Sequence, residues 1–258
     1  MATANLAPAA GPSASGRTGR LLWTVARVRS VQAETPRASR LVLEVPGWAG
    51  HLPGQHLDVR LSAPNGYQAQ RSYSIASAPE QSHVELIVET LPDGEVSPYL
   101  TGELRAGDDL EVRGPVGGWF VWHTALGGPL QLIAGGSGVV PFLAMLEHRR
   151  ATGSSVTARL LYSARTLTDV IATDRLDATG AAVTLVLTRQ APADWGGPTG
   201  RVDAQLLREH VLPPDAAPQV FVCGPTGFVE AVASVLTELG HPPGRVKTER
   251  FGDSGGAP

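Results

Sequence analysis

The apolar residues of this chain change their spacing once, at Gly127-Gly-Pro129, and few architectures accommodate such a change. Upstream, from Leu21 to about Trp122, apolar and polar residues alternate in short runs broken by Gly, Pro and Asn-Gly, with almost no helical periodicity. Arg40-Leu-Val-Leu-Glu-Val45, Gln55-His-Leu-Asp-Val-Arg-Leu61 and Val84-Glu-Leu-Ile-Val-Glu89 alternate as half-buried strands do. Short strands with turn residues between them predict an antiparallel barrel or sandwich. Its one helix start is Ser97-Pro-Tyr-Leu100, with Ser97 expected as the cap and Pro98 at the first helical position. Downstream, Leu130-Gln-Leu-Ile-Ala134, Ala158-Arg-Leu-Leu-Tyr162, Ala182-Val-Thr-Leu-Val-Leu187 and Gln219-Val-Phe-Val-Cys223 are continuous apolar runs, as parallel strands covered on both faces are. Helical stretches at residues 140–150, 202–209 and 226–239 fall between them, predicting a doubly wound α/β half. The division is expected near residue 125, giving units at 19–125 and 126–258.

Composition bounds the chemistry. The chain has 258 residues, 42% hydrophobic and 17% charged, which suits two ordinary domains with ample core. A formal net charge of -3 gives no reason to expect nucleic acid or an anionic membrane as partner. The Ala-, Gly-, Ser- and Pro-rich residues 1–18 read as a disordered leader, and no run approaches the roughly 18 apolar residues of a membrane span. A cytoplasmic monomer is the expectation. The single cysteine, Cys223, excludes an internal disulfide and cannot supply the four thiolates of a plant-type iron–sulfur cluster, so any such cluster is expected on another protein. Seven histidines are scattered with no pair at metal-ligand spacing, and no metal is expected.

Four features could carry chemistry. Arg71-Ser-Tyr-Ser-Ile-Ala-Ser77 places a guanidinium, a phenol and three hydroxyls in one strand; Arg71 and Tyr73 share a face, where they suit a phosphate and a planar ligand. The same residues also suit an exposed sheet edge. Leu132-Ile-Ala-Gly-Gly-Ser-Gly-Val-Val-Pro141 is a buried strand, a glycine turn and a helix start, an arrangement whose bare amides and helix dipole can meet a pyrophosphate, although the usual G-x-G-x-x-G spacing is missing. Val220-Phe-Val-Cys-Gly-Pro225 repeats it at another strand end. Cys223 is expected to be partly exposed there, touching a ligand ring, with a small buried apolar role as the alternative. Arg165, Arg189 and Arg201 each follow a second-half strand and would suit a 2'-phosphate if they converge, or solvent if they do not.

In order, Arg71-Ser-Tyr-Ser74, Gly114-Pro-Val-Gly117, Gly135-Gly-Ser-Gly-Val-Val-Pro141, Cys223-Gly-Pro225 and Glu249-Arg-Phe251 resemble the ferredoxin-NADP reductase superfamily over residues 20–252. The resemblance implies a Greek-key, flavin-binding antiparallel β-barrel followed by a nicotinamide-nucleotide-binding α/β domain. It implies FAD, ahead of FMN, with NADPH or NADH as hydride donor. By motif, Arg71 would hold the flavin pyrophosphate, Tyr73 would stack on the isoalloxazine and Ser74 would bond near its N5, with Ser72 between them. Gly94, Val96 and Ser97 resemble the second phosphate contact, and Phe251 stands near the aromatic residue that covers the flavin in plant-type relatives. Gly135, Gly136, Ser137 and Gly138, with Cys223, Gly224 and Pro225, would lie under the nicotinamide nucleotide. Thr188, Arg189, Arg201 and Arg165 match the 2'-phosphate contacts, although Asp203 stands near where some NADP enzymes carry a tyrosine. Ser74, Cys223 and Glu249 would be the catalytic residues.

The activity implied is hydride uptake from NAD(P)H, NADPH favoured, and release of single electrons to ferredoxin or a flavodoxin-like carrier serving a monooxygenase or similar redox enzyme. A diaphorase or flavin/quinone reductase acting on small oxidants, and a flavin-binding regulatory subunit without turnover, are the competing readings.

Overall fold

A computed structural model describes residues 21–252; the leader expected at residues 1–18 lies outside the described residues. Six strands form the first sheet: β1 (Thr24–Thr35), β2 (Ala38–Glu44), β3 (His56–Ser62), β4 (Gln68–Ser74), β5 (Val84–Glu89) and β6 (Asp109–Val116). They pair antiparallel in the order β4-β3-β6-β1-β2-β5. The two outer strands then meet: Ile75 bridges Leu86, and the Ala76 N–H donates to the Glu85 carbonyl at 2.8 Å. That contact closes the sheet into a barrel and removes its open edges. Alternate residues Leu41, Leu43, Leu57, Val59, Leu86 and Val88 fill the interior with no solvent exposure, each contributing roughly 2 kcal/mol of burial.

The barrel helix α1 (Ser97–Gly102) starts where its proline predicts, but its cap is Val96. The Ser97 hydroxyl instead accepts from the Leu91 N–H at 3.0 Å, tying the helix back onto the loop that delivers it. Ser97 is already the first helical residue, one position past the cap, so its hydroxyl serves the loop instead.

Five parallel strands make the second sheet: β7 (Leu130–Gly135), β8 (Ala158–Ala164), β9 (Ala182–Leu187), β10 (Gln219–Pro225) and β11 (Val246–Phe251), ordered β11-β10-β7-β8-β9. Successive side chains go to opposite faces: Leu132 and Ala134 of β7, with Phe221 and Cys223 of β10, join α2 (Val140–Ala151) and α3 (Thr173–Ala178). Ile133, Val220 and Val222 join α4 (Ala204–His210) and α5 (Thr226–Glu238) on the other side. Helices on both faces explain why these strands read as unbroken apolar runs. The chain leaves β7 through β8 and β9, then returns to place β10 on the opposite side of β7. The carboxyl ends of β7 and β10 therefore flank a topological switch point, where an open α/β sheet binds its ligand. Ala38, Ala76 and Ile87 of the barrel join Phe120, Trp122 and the β7 and α2 side chains in one core, so the two sheets meet across a packed interface.

Candidate functional site: the barrel mouth and the switch-point cleft

In the β3–β4 pair, Val59 faces Arg71 and Leu57 faces Tyr73. Arg71 and Tyr73 therefore share the face of β4 on which Leu57 and Val59 lie. Tyr73 is half-buried against the barrel core, and burial pushes its phenol up to about 12. The Arg71 side chain is 57% exposed and reaches the loop at residues 94–97, where it meets Glu95 at 3.4 Å; Tyr67 also hydrogen-bonds that carboxylate. The structure thus ties Arg71, through Glu95, to the loop that carries Gly94, Val96 and Ser97, which sequence alone left far apart. Ser74 pairs with His56, whose ring lies at Gly117 and whose burial lowers its proton affinity.

Ser72 faces the other way. Its hydroxyl donates to Asp58 at 2.6 Å, and Asp58 holds Arg113 at 2.6 Å on the outer face of the barrel. Burial alone would raise the Asp58 carboxyl, but those two hydrogen-bond donors outweigh it and hold it below the usual carboxylate range. The period of two along a strand sends residue 72 away from 71 and 73.

At the switch point, β7 runs into a 3-10 turn at Gly136–Val139 and then into α2, opened by Pro141. A cleft of about 300 Å³ lies beside it. Gly135, Gly136, Ser137 and Pro225 line this cleft, together with Thr35, Arg37 and Glu89 from the barrel. Gly138 and Gly224 do not line it. A Cβ on Gly138 would meet the Cys223 carbonyl oxygen at 2.2 Å, and one on Gly224 would meet Phe228 at 2.8 Å and the Cα of Gly135 at 3.2 Å. These glycines let one turn pack on the other, whereas Gly136, at φ +55°, presents bare backbone at the cleft.

Cys223 is 2% exposed, so the expected partial exposure is corrected: β10 continues to Pro225 and keeps the sulfur inside. Burial, and then the charge of Glu249, push its thiol well up. Glu249 is its register partner on β11, and burial pushes that carboxyl up to about 7. Phe251, paired with Pro225, packs on the shared core and lines the cleft.

The three arginines come to one edge of the second sheet. The Arg189 N–H donates to the Arg165 carbonyl at 3.0 Å, and Thr199, just before Gly200 and Arg201, bridges Leu187. Among the described residues none of their guanidiniums makes an ion pair. Arg165 and Thr188 line the cleft directly. Asp203 is committed elsewhere: its carboxylate caps α4, accepting from the Gln205 and Leu206 N–H groups at 3.0 and 2.9 Å.

Two family models divide the chain as its strands do: an oxidoreductase FAD-binding domain over residues 26–121 and an oxidoreductase NAD-binding domain over residues 132–234. The NADH-cytochrome b5 reductase 1 of Aspergillus terreus is 30% identical over 73% of this chain and 67% of its own length. This chain belongs to the ferredoxin-NADP reductase superfamily. Within the superfamily it is 28% identical, over 88% of its length and 69% of the relative's, to a Ralstonia ferredoxin–NAD(P)+ reductase component of naphthalene 1,2-dioxygenase/salicylate 5-hydroxylase systems. The crystal structure of an Amycolatopsis cytochrome P450 reductase superposes with a TM-score of 0.80 at 26% identity, covering 93% of this chain and 73% of that one. The chain spans between 56 and 69% of the length of four of its curated relatives.

The donor set fits what the superfamily's two domains bind. An exposed guanidinium paired with Glu95, a half-buried phenol and a serine lie along β4, and Gly136 presents bare backbone at the cleft. Sequence reasoning missed Arg37, Glu89 and Asp169, which also line the cleft. Arg37 crosses from the barrel to Asp169 at 2.9 Å. No short motif marks these positions; only the approach of the β1–β2 turn to the second sheet assembles them.

Proposed function

We propose that the chain is an NAD(P)H-dependent flavoprotein reductase, NADPH favoured, that hands electrons singly to a separate small carrier. One observation carries this reading: the cleft has glycine turns of a nucleotide-binding switch point on one wall and residues of an FAD-domain barrel on the other. Bound FAD supplies the chemistry of hydride acceptance and one-electron release; the chain binds, aligns and tunes. Arg71 and the amides of Gly94, Val96 and Ser97 grip the pyrophosphate. Tyr73 lies against the ring, and the Ser74 hydroxyl hydrogen-bonds its reacting edge. Gly135, Gly136, Ser137 and Pro225 support the nicotinamide nucleotide, over a floor made by Gly138, Cys223 and Gly224. Phe251 limits water at the cleft. Glu249 holds or releases a proton at its carboxylate near neutral pH, the range in which such a group is useful.

Arg165, Thr188, Arg189 and Arg201 form the 2'-phosphate site that favours NADPH. The carrier is ferredoxin or a flavodoxin-like protein serving an oxygenase or similar enzyme; the Ralstonia relative, named as the ferredoxin–NAD(P)+ reductase component of such a system, supports this. We place the protein in the cytoplasm and the division between its units near residue 125. The test is anaerobic NADPH oxidation with and without added ferredoxin. The proposal expects turnover to require the carrier; equal turnover with quinone or free flavin alone would replace it with a diaphorase.

A further inference from the structure

Among the contacts that join the barrel to the nucleotide sheet, one half-buried guanidinium lies outside the cleft. Arg175 stands on α3, and its side chain is 18% exposed. Its Nε and Nη2 donate to the two oxygens of Glu147 on α2, at 2.8 and 3.0 Å, within the second unit. The rest of the fork crosses the interface: Nη1 donates to Glu85 of β5 at 2.9 Å and Nη2 to the Ala76 carbonyl at 3.2 Å. A planar guanidinium holding four acceptors fixes distance and orientation together.

What Arg175 grips is the place where the barrel closes. Glu85 gives its carbonyl to the Ala76 N–H at 2.8 Å and its N–H to the Ser77 hydroxyl at 3.0 Å. Ala76 is two residues beyond Ser74, so the contact reaches the far end of the strand that carries Arg71, Tyr73 and Ser74. The base of α3 is held from the barrel too: Ala172, in the left-handed region at φ 56°, donates its N–H to Glu34 at 3.0 Å. A non-glycine residue in that conformation persists because its surroundings impose it. Arg37, the other crossing guanidinium, is 41% exposed and lines the open cleft, so water weakens its grip.

We infer that Arg175 is a positioning residue: by clamping α3 to the β4–β5 junction it sets the angle between the two units, and with it the approach of the nicotinamide to the flavin. This rests on the reductase reading above. An error of about 1 Å in such an approach costs on the order of a hundredfold in rate.

Glu85→Gln is the first test, because it removes the charge of the cross-unit ion pair while leaving the Arg175–Glu147 pair and the Arg175–Ala76 hydrogen bond in place. Arg175→Lys, which keeps the charge but loses the fork, is the companion. Spin labels on Ala63→Cys and Ala231→Cys report the separation of the units; both positions are exposed, while buried Cys223 stays unlabelled. In Glu85→Gln the inter-label distance distribution should broaden or shift, and the limiting rate of flavin reduction by NADPH should fall tenfold or more with coenzyme affinity within twofold. Arg175→Lys should behave likewise. An unchanged distance distribution together with an unchanged limiting rate in Glu85→Gln overturns the inference. If the unsubstituted protein's flavin is not reduced at all, the reductase reading fails instead, and the label distances alone still decide whether Arg175 sets the angle.

Discussion

Glu249 sits on β11 opposite Cys223, where burial pushes its carboxyl up to about 7. The unfolded chain ionises this group near 4.5, so between pH 4.5 and 7 the folded protein holds the extra proton and stability falls as pH rises through that window. Above pH 7 the loss is complete, on the order of 1–3 kcal/mol once partial exposure is allowed for. Glu249→Gln should therefore match the wild type in urea unfolding at pH 5 and exceed it at pH 8; equal stability at both would remove the burial argument. Glu95 offers a second residue-scale expectation. It carries a negative charge onto Arg71, the group proposed to hold a pyrophosphate. Glu95→Gln should tighten FAD binding roughly two- to fivefold, since the pair is exposed, whereas Arg71→Ala should weaken it roughly tenfold or more by removing a charge-assisted grip. Titration of flavin fluorescence distinguishes these opposite signs.

At the scale of elements, the two glycine turns depend on each other. Gly138→Ala puts a methyl group against the Cys223 carbonyl, a backbone atom that cannot swing aside. It should lower stability by about 1–3 kcal/mol and appear as a lower Tm even before coenzyme is added. Arg189→Ala acts at the neighbouring strand end and should raise KM for NADPH roughly tenfold while leaving NADH nearly unchanged; equal effects on both coenzymes would contradict a 2'-phosphate site. Much of this layer was legible in the sequence, because buried parallel strands and half-buried antiparallel ones differ in apolar period. β11 was not: Val246-Lys-Thr-Glu-Arg-Phe251 is an edge strand with no fully buried residue to set a period. β1 hides its alternation behind register shifts at Val28/Ser30 and Ala33/Thr35. α3 is only six residues long and half charged, too short for helical periodicity to register. The burial of Cys223 was missed because nothing local tells how far β10 runs past its apolar stretch, and the Asp58–Ser72–Arg113 cluster joins three strands that only the barrel brings together.

For the whole molecule, the proposed function rests on two units that share a packed core, each lining one side of a cleft. The barrel lines it with Thr35, Arg37 and Glu89 and carries Arg71, Tyr73 and Ser74 on β4 beyond that lining; the parallel sheet lines it with Gly135, Gly136 and Ser137 at its switch point and with Arg165 and Thr188. Neither half alone faces a flavin with a nicotinamide, which is why the ordered set of motifs said more than any member of it. The central claim is that a flavin bound to this chain takes its electrons from a nicotinamide coenzyme. Anaerobic stopped-flow mixing of the FAD-loaded protein with NADPH and with NADH tests it most directly. Flavin absorbance should bleach with both coenzymes, half-saturating at lower concentration with NADPH. A protein that binds no FAD, or whose bound flavin neither coenzyme reduces, would contradict it.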